Sequence, residues 1–277
     1  MHDSGRKDVE VKKVKETNVP ALGLGTWRLK GSECGDTVRT AIELGYRHID
    51  TAQTYGNEAE VGQGIRDSSL DRAELFVTTK IDVENLSPQR LLVSAADSFR
   101  KLGIDYVDLL LIHWPHPEVP LEESLDAMRK LQEEGLVRHI GVSNFTPELV
   151  RQALQIAPIF CNQVEFHPYL DQSDILDLAE KNDFLVTAYC PIARGAVLED
   201  PVLRRIAESR AKNAAQVALR WLVQQPKVAA IPKAASRIHL ESNLDIFDFE
   251  LSRQEMEEIA ALANGLRLVN PTSAPWN

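Results

Sequence analysis

Seven of eight short apolar runs of the chain carry or end in a polar side chain that can move a proton or make a directed hydrogen bond. Asp50 lies in His48-Ile-Asp-Thr-Ala52, Lys80 ends Leu75-Phe-Val-Thr-Thr-Lys80, and His113 ends Val107-Asp-Leu-Leu-Leu-Ile-His113. Ser143 and Asn144 end a fourth run, Asn162 and Gln163 sit in a fifth, Tyr189 ends a sixth and Lys233 a seventh. Tyr55 follows Asp50 closely. A tyrosine exchanges protons poorly near neutrality because its pKa is about 10. A neighbouring ammonium favours the phenolate and lowers that value, and a carboxylate can orient the ammonium through an ion pair. Asp50, Tyr55, Lys80 and His113 therefore suggest a proton-transfer group. Each also has a plainer reading, Tyr55 as a loop aromatic and Lys80 as a solvated strand end, and the residue types alone leave both open.

The elements that would position these residues alternate along the chain. The runs, beginning with Ala21-Leu-Gly-Leu-Gly25 and ending with Val228-Ala-Ala-Ile-Pro-Lys233, have the length and β-propensity of buried parallel strands. Between them, residues 37–44, 58–66, 89–102, 122–134, 147–155, 173–182 and 214–225 repeat apolar side chains at helical spacing. Ser87-Pro88, Thr146-Pro147 and Asp200-Pro201 place a capping residue before proline, and Gly45, Gly103 and Gly135 follow helix ends. The pattern predicts a (β/α)8 barrel, in which all C-terminal strand ends share one mouth. A doubly wound sheet alternates in the same way, so periodicity leaves it standing as the competitor. A barrel spanning about 20–250 in one domain is expected, with a charged N-terminal extension that includes a hairpin and an irregular tail over 264–277.

Composition narrows the partners. With 31 Lys+Arg against 41 Asp+Glu the net charge is −10, which argues against nucleic acid, though a local basic pocket for one small phosphate stays open. Cys34, Cys161 and Cys190 form no CxxC pair, which fits a reduced cytoplasmic protein and offers no metal framework. No signal-type leader and no membrane-spanning run is seen, so a cytoplasmic location without membrane contact is expected. Oligomeric state is unread; a monomer is compatible with the sequence.

Five segments carry a resemblance. Gly45-Tyr-Arg-His-Ile-Asp-Thr-Ala-Gln-Thr-Tyr-Gly-Asn-Glu58, Leu110-Leu-Ile-His-Trp-Pro115, Gly141-Val-Ser-Asn-Phe145, Asn162-Gln-Val-Glu-Phe-His-Pro168 and Ile231-Pro-Lys233 together resemble the aldo-keto reductase family, especially its short-looped bacterial diketogluconate-reductase-like members. The resemblance implies a barrel enzyme reducing an aldehyde or ketone with NADPH or NADH. It implies a catalytic tetrad of Tyr55 as proton donor, Lys80 as its partner, Asp50 behind Lys80, and His113 orienting the carbonyl. Ser143, Asn144 and Gln163 would hold the nicotinamide carboxamide, Tyr189 would stack on the ring, and Asp50 would also reach the ribose. Trp27 and Trp114 match pocket aromatics, and Trp276 of the tail is a further candidate for the mouth.

The adenosine-phosphate loop departs from the family pattern. Lys233 and Asn243 match, but Ala234, His239 and Ser242 replace the usual Ser, Arg and Glu, leaving Arg237 as the nearest substitute cation. A histidine offers one donor and partial charge where arginine offers a fork. The expectation is NADPH preference with NADH use. Cys190 replaces the Ser that usually follows the stacking tyrosine and reads as a small structural residue. The Gly23-Leu-Gly25 run lacks the third glycine of a dinucleotide fingerprint, since position 28 is Arg28. Competing functions are a cofactor-sensing binding module on the same barrel and a barrel hydrolase or aldolase working without nicotinamide.

Overall fold

The structure, a computed structural model, describes residues 9–276; the first residues of the charged extension and Asn277 lie outside it. The chain enters through an antiparallel hairpin, β1 (Val11–Val14) and β2 (Thr17–Pro20). Eight parallel strands follow among the described residues: β3 (Leu24–Gly25), β4 (His48–Asp50), β5 (Phe76–Ile81), β6 (Val107–Ile112), β7 (Val137–Ser143), β8 (Cys161–Glu165), β9 (Leu185–Tyr189) and β10 (Val228–Ala230). They hydrogen-bond in chain order, and a parallel bridge from Leu22 to Ala230 joins last to first. The sheet is a closed (β/α)8 barrel, and the doubly wound alternative is excluded. Closure is tight: a Cβ on Gly25 would lie 2.7 Å from the Ile231 carbonyl oxygen, so a larger residue there would push the seam apart.

Helices α1 (Gly31–Leu44), α2 (Glu58–Asp67), α3 (Pro88–Leu102), α4 (Leu121–Glu133), α5 (Pro147–Ile156), α6 (Ser173–Asn182), α7 (Pro201–Glu208) and α8 (Ala214–Gln224) surround it, followed by α9 (Arg237–Leu244) and α10 (Arg253–Ala260). Their ends obey local chemistry. Thr146 caps α5, Asp200 caps α7, Asn213 and Gln216 form a reciprocal capping box on α8, and Gly45 and Gly103 end α1 and α3 in left-handed geometry. Periodicity underestimates α1, which starts at Gly31 rather than Thr37, because its first turn is polar. The helical segments read from periodicity also leave out α7, α9 and α10, eight residues each, although α7 buries Leu203, Ile206 and Ala207 on one face. The outer strands are shorter than the apolar runs suggest; after Ala230, Pro232 has no amide to continue the ladder.

Alternate residues of each strand point inward. Toward the N-terminal end of the barrel these are Phe76, Leu109, Leu111, Cys161, Leu185 and Ala229, packed with Phe160 and with Val14 and Val19 of the hairpin into one buried cluster. The hairpin thus plugs the bottom of the barrel. Val14 is fully buried there, and Val14→Ala should lower unfolding free energy by about 1.5–3 kcal/mol through lost burial and the cavity left behind. A urea midpoint equal to that of the wild type would show that the plug adds nothing to stability.

Candidate active site

Continuing the same inward rows toward the C-terminal ends changes their character. β4 reaches Asp50, β5 reaches Thr78 and Lys80, the residue after β6 is His113, β7 ends at Ser143, β8 carries Gln163 and Glu165, and β9 ends at Tyr189. The register places Asp50 beside Thr78, Lys80 beside Leu111 and Ser143 beside Gln163. Tyr55 enters from the single 3-10 turn Gln53–Tyr55 after β4, which Gly56 ends in left-handed geometry at φ 65°.

Lys80 is at the centre. Its side chain is fully buried, and its ammonium donates to Asp50 Oδ1 at 2.5 Å, to the Thr51 carbonyl at 2.8 Å and to the Tyr55 hydroxyl at 3.3 Å. Burial works against the charge, but Asp50 and Tyr55 outweigh it and hold the Lys80 pKa above the ordinary lysine value. The other carboxylate oxygen of Asp50 accepts from Gln163 Nε2 at 2.7 Å, so both of its oxygens are engaged. For Tyr55 the net direction differs from the expectation that Lys80 alone suggests. Burial raises the phenol, Lys80 pulls it down and Asp50 pushes it up again, with the balance above the ordinary tyrosine value. The phenol therefore keeps its proton at neutral pH.

The His113 ring meets Tyr55 edge-on, with centroids 5.8 Å apart, and its Nδ1 lies 3.3 Å from Thr54 Oγ1. Burial, reinforced by the Lys80 charge, pushes the imidazole down to about 3. Next to it, Asn144 sits in left-handed geometry at φ 62°. Its amide donates to the His113 carbonyl at 3.0 Å and to Ser143 Oγ at 3.1 Å, while its oxygen accepts from the Tyr189 hydroxyl at 2.7 Å. Ser143 in turn donates to the Gln163 carbonyl at 2.9 Å.

These groups open onto a cavity of about 640 Å³, also lined by Trp27, Trp114, Cys190 and Lys233. Arg28, Arg194 and Val269, to which the sequence assigned no place in the site, also line it. The two guanidinium groups lie 4.2 and 5.8 Å from the Trp27 ring centroid. Arg28, which breaks the glycine fingerprint, could have been noticed as a cation three residues past a strand end; Arg194 reaches the cavity only through a loop in which Cys190, Ala193 and Arg194 all have positive φ. The residues expected at the adenosine phosphate are not all brought together. Lys233 lines the cavity, but Arg237, His239 and Asn243 lie beyond it on α9, and the Arg237 guanidinium is engaged by Glu241 at 2.8 Å.

A profile of the aldo/keto reductase family matches residues 21–264. The chain belongs to the aldo/keto reductase family. It is 44% identical to methylglyoxal reductase DkgB of Escherichia coli O157:H7, over 91% of this chain and 96% of that protein. Among solved structures it resembles a protein provisionally named 2,5-diketo-D-gluconic acid reductase B, at a TM-score of 0.94 and 45% identity over 96% of both chains. It also resembles the aldo-keto reductase of Bombyx mori solved in complex with NADP, at 0.89 and 30% identity over 95% of this chain and 96% of that one. As a member of this family the chain is an oxidoreductase of the carbonyl-reducing kind. None of the described helices is long and apolar enough to cross a membrane.

The depressed imidazole yields a test independent of turnover. In this aldo-keto reductase, His113 should stay neutral from pH 8 down to about pH 4, whereas an ordinary histidine charges near 6.5. The linkage follows: the folded state takes up this proton less readily than the unfolded one, so the His113 contribution to stability is present above pH 6.5 and fades as pH falls toward 3. Imidazole NMR shifts assigned with a His113→Gln control would check it, and a His113 titration midpoint between pH 6 and 7 would contradict the buried, Lys80-facing environment.

Proposed function

We propose that this aldo-keto reductase reduces an aldehyde or ketone using NADPH or NADH, with Tyr55 delivering the proton. The single observation that supports this most is the chain Asp50–Lys80–Tyr55, buried behind the cavity, with the Tyr55 hydroxyl as its outlet. A reduced nicotinamide, when bound, supplies hydride to the carbonyl carbon. The carbonyl oxygen, gaining negative character, takes the Tyr55 proton and becomes the alcohol oxygen. Lys80 then stabilises the phenolate that remains until Tyr55 is reprotonated, and Asp50 holds Lys80 charged. His113, neutral and fixed by Thr54 at Nδ1, would offer its other ring nitrogen to the carbonyl and orient it.

The donors present fit a nicotinamide dinucleotide. Ser143, Asn144 and Gln163 cluster as a patch of hydroxyl and amide groups for the carboxamide, and Tyr189 offers a flat face beside them. Asp50 would meet a ribose hydroxyl as well as Lys80. Arg28 and Arg194 suit the diphosphate, since guanidinium groups match phosphate oxygens. At the start of α9, Ser236 Oγ is buried without a hydrogen-bond partner, an orphan that a phosphate oxygen would satisfy alongside Lys233. NADPH preference with NADH use remains the reading, with Lys233 as its main support. Arg237 would contribute after leaving Glu241; His239 is exposed on the same helix turn, and Asn243 follows on α9. The substrate side would be Trp27, Trp114, Tyr55 and His113. The polar tetrad, held together at the mouth, favours turnover over a mere cofactor-sensing role.

Tyr55→Phe deletes only the hydroxyl. Carbonyl-dependent loss of absorbance at 340 nm should fall by at least about 100-fold, with the fold intact by circular dichroism. Adding Lys80→Met should cost little more, because the two act as one unit. Near-normal turnover in folded Tyr55→Phe would remove the proposed donor.

The cofactor loop separates into two predictable effects. Arg28→Ala and Arg194→Ala should weaken NADPH and NADH alike, whereas Lys233→Met should weaken NADPH selectively by roughly 10- to 100-fold. Dissociation constants from fluorescence quenching for both cofactors would decide. Equal losses for both cofactors in Lys233→Met would assign Lys233 to a shared part of the dinucleotide and end the case for NADPH preference.

A further inference from the structure

Glu165 ends β8 on the inward row, is 1% exposed, and belongs to neither the tetrad nor the amide cluster. A buried carboxylate is costly unless donors surround it. Glu165 has three: His167 Nε2 at 3.0 Å and the backbone amide of Leu268 at 2.7 Å, both on Oε1, and the amide of Val269 at 2.9 Å on Oε2. Burial alone would push this carboxyl up, yet the His167 bond and the two amides hold it below the ordinary glutamate value. Two of the donors thus come from a segment about a hundred residues further on that forms neither helix nor strand.

That segment reaches the cavity. Val269 lines it directly. Beyond it the chain folds on itself: the Ala274 amide donates to the Pro271 carbonyl at 2.9 Å, the Trp276 indole donates to Asn270 Oδ1 at 2.8 Å, and the Arg267 guanidinium lies 3.9 Å from the Trp276 ring centroid. The Trp276 ring then packs at 5.6 Å from Trp114, itself a cavity residue. Upstream, the amides of Asn264 and Gly265 meet the Tyr169 carbonyl at 3.1 Å.

We infer that Glu165 is a positioning residue whose carboxylate fastens the C-terminal segment 267–276 across the cavity as its outer wall, and so sets which carbonyl compounds fit. The fastening rests on the hydrogen bonds alone; the effect on substrate choice rests on the reductase reading above. Glutamine at this position keeps the shape but replaces one acceptor oxygen with a donor, so at least one of the two amide bonds is lost to a donor–donor clash. The wall then loosens, while Lys80, Tyr55 and His113 keep their partners.

The experiment compares wild type, Glu165→Gln and Leu268→Pro in the full chain. Leu268→Pro removes one amide donor from the tail side, together with a side chain packed against the core, and changes no residue of a barrel strand, so it decides the matter if Glu165→Gln fails to fold. Hydrogen exchange at the Val269 amide should accelerate about 10-fold or more in both variants. The ratio of kcat/KM for a bulky aryl aldehyde to that for methylglyoxal should rise by about fivefold or more, with the change carried by KM. The double variant should match the larger single effect, because both substitutions release the same wall. Unchanged exchange at Val269 would overturn the fastening. Faster exchange with an unchanged substrate ratio would overturn the role in substrate choice. If the wild type turns over neither aldehyde, the reductase reading fails, and the exchange data still judge the anchor.

Discussion

A lysine ammonium with no contact to water dictates the arrangement of this barrel mouth. Placing such a charge in a low-dielectric interior costs several kcal/mol unless it is paired and hydrogen-bonded. Lys80 meets the requirement with three oxygens drawn from β4, from the Thr51 carbonyl just past it and from the turn holding Tyr55. Asp50 in turn is held from across the barrel by Gln163 on β8. The network therefore exists only when β4, β5 and β8 lie in one closed sheet at the observed register. Losing one partner would strand a buried charge, which explains why the site and the fold are energetically inseparable here.

Below that layer the same inward rows turn apolar, and the hairpin's valines complete the packing. The division along a single strand is what lets the barrel hold a costly polar network: burial near the N-terminal ends supplies stability, and the C-terminal ends spend some of it on orientation. Gly141 shows how closely the two layers are fitted, since a Cβ there would lie 2.5 Å from the Cys161 carbonyl oxygen and 2.8 Å from the Leu111 side chain. Size changes in the middle layer would be transmitted to Ser143 and Gln163 one step above.

The end proposed to hold the dinucleotide obeys looser rules. Its cations sit on loops and a short helix, where a charge can choose among partners, and Arg237 has taken Glu241 on its own helix. An exposed pair of that kind contributes a few tenths of a kcal/mol, so the pairing is weak enough for a phosphate to displace. Under that proposal, specificity at this end is a competition between small terms, in contrast to the single large constraint at Lys80.

The sequence by itself determined the alternation of strands and helices, the capped helix starts, and the polar residues that end the strands, because each depends on neighbours a few positions away. The order of Asp50, Tyr55, Lys80 and His113, with the segments around them, also sufficed to mark the family. Periodicity could not separate a closed barrel from an open sheet, since closure is one contact between Leu22 and Ala230 at opposite ends of the chain. Nor could it show that burial outweighs Lys80 at Tyr55, that Arg28 and Arg194 share one cavity, or that Glu165 grips Leu268 and Val269. Desolvation and long-range hydrogen bonds depend on what surrounds a group in space, and only the folded chain brings those surroundings together.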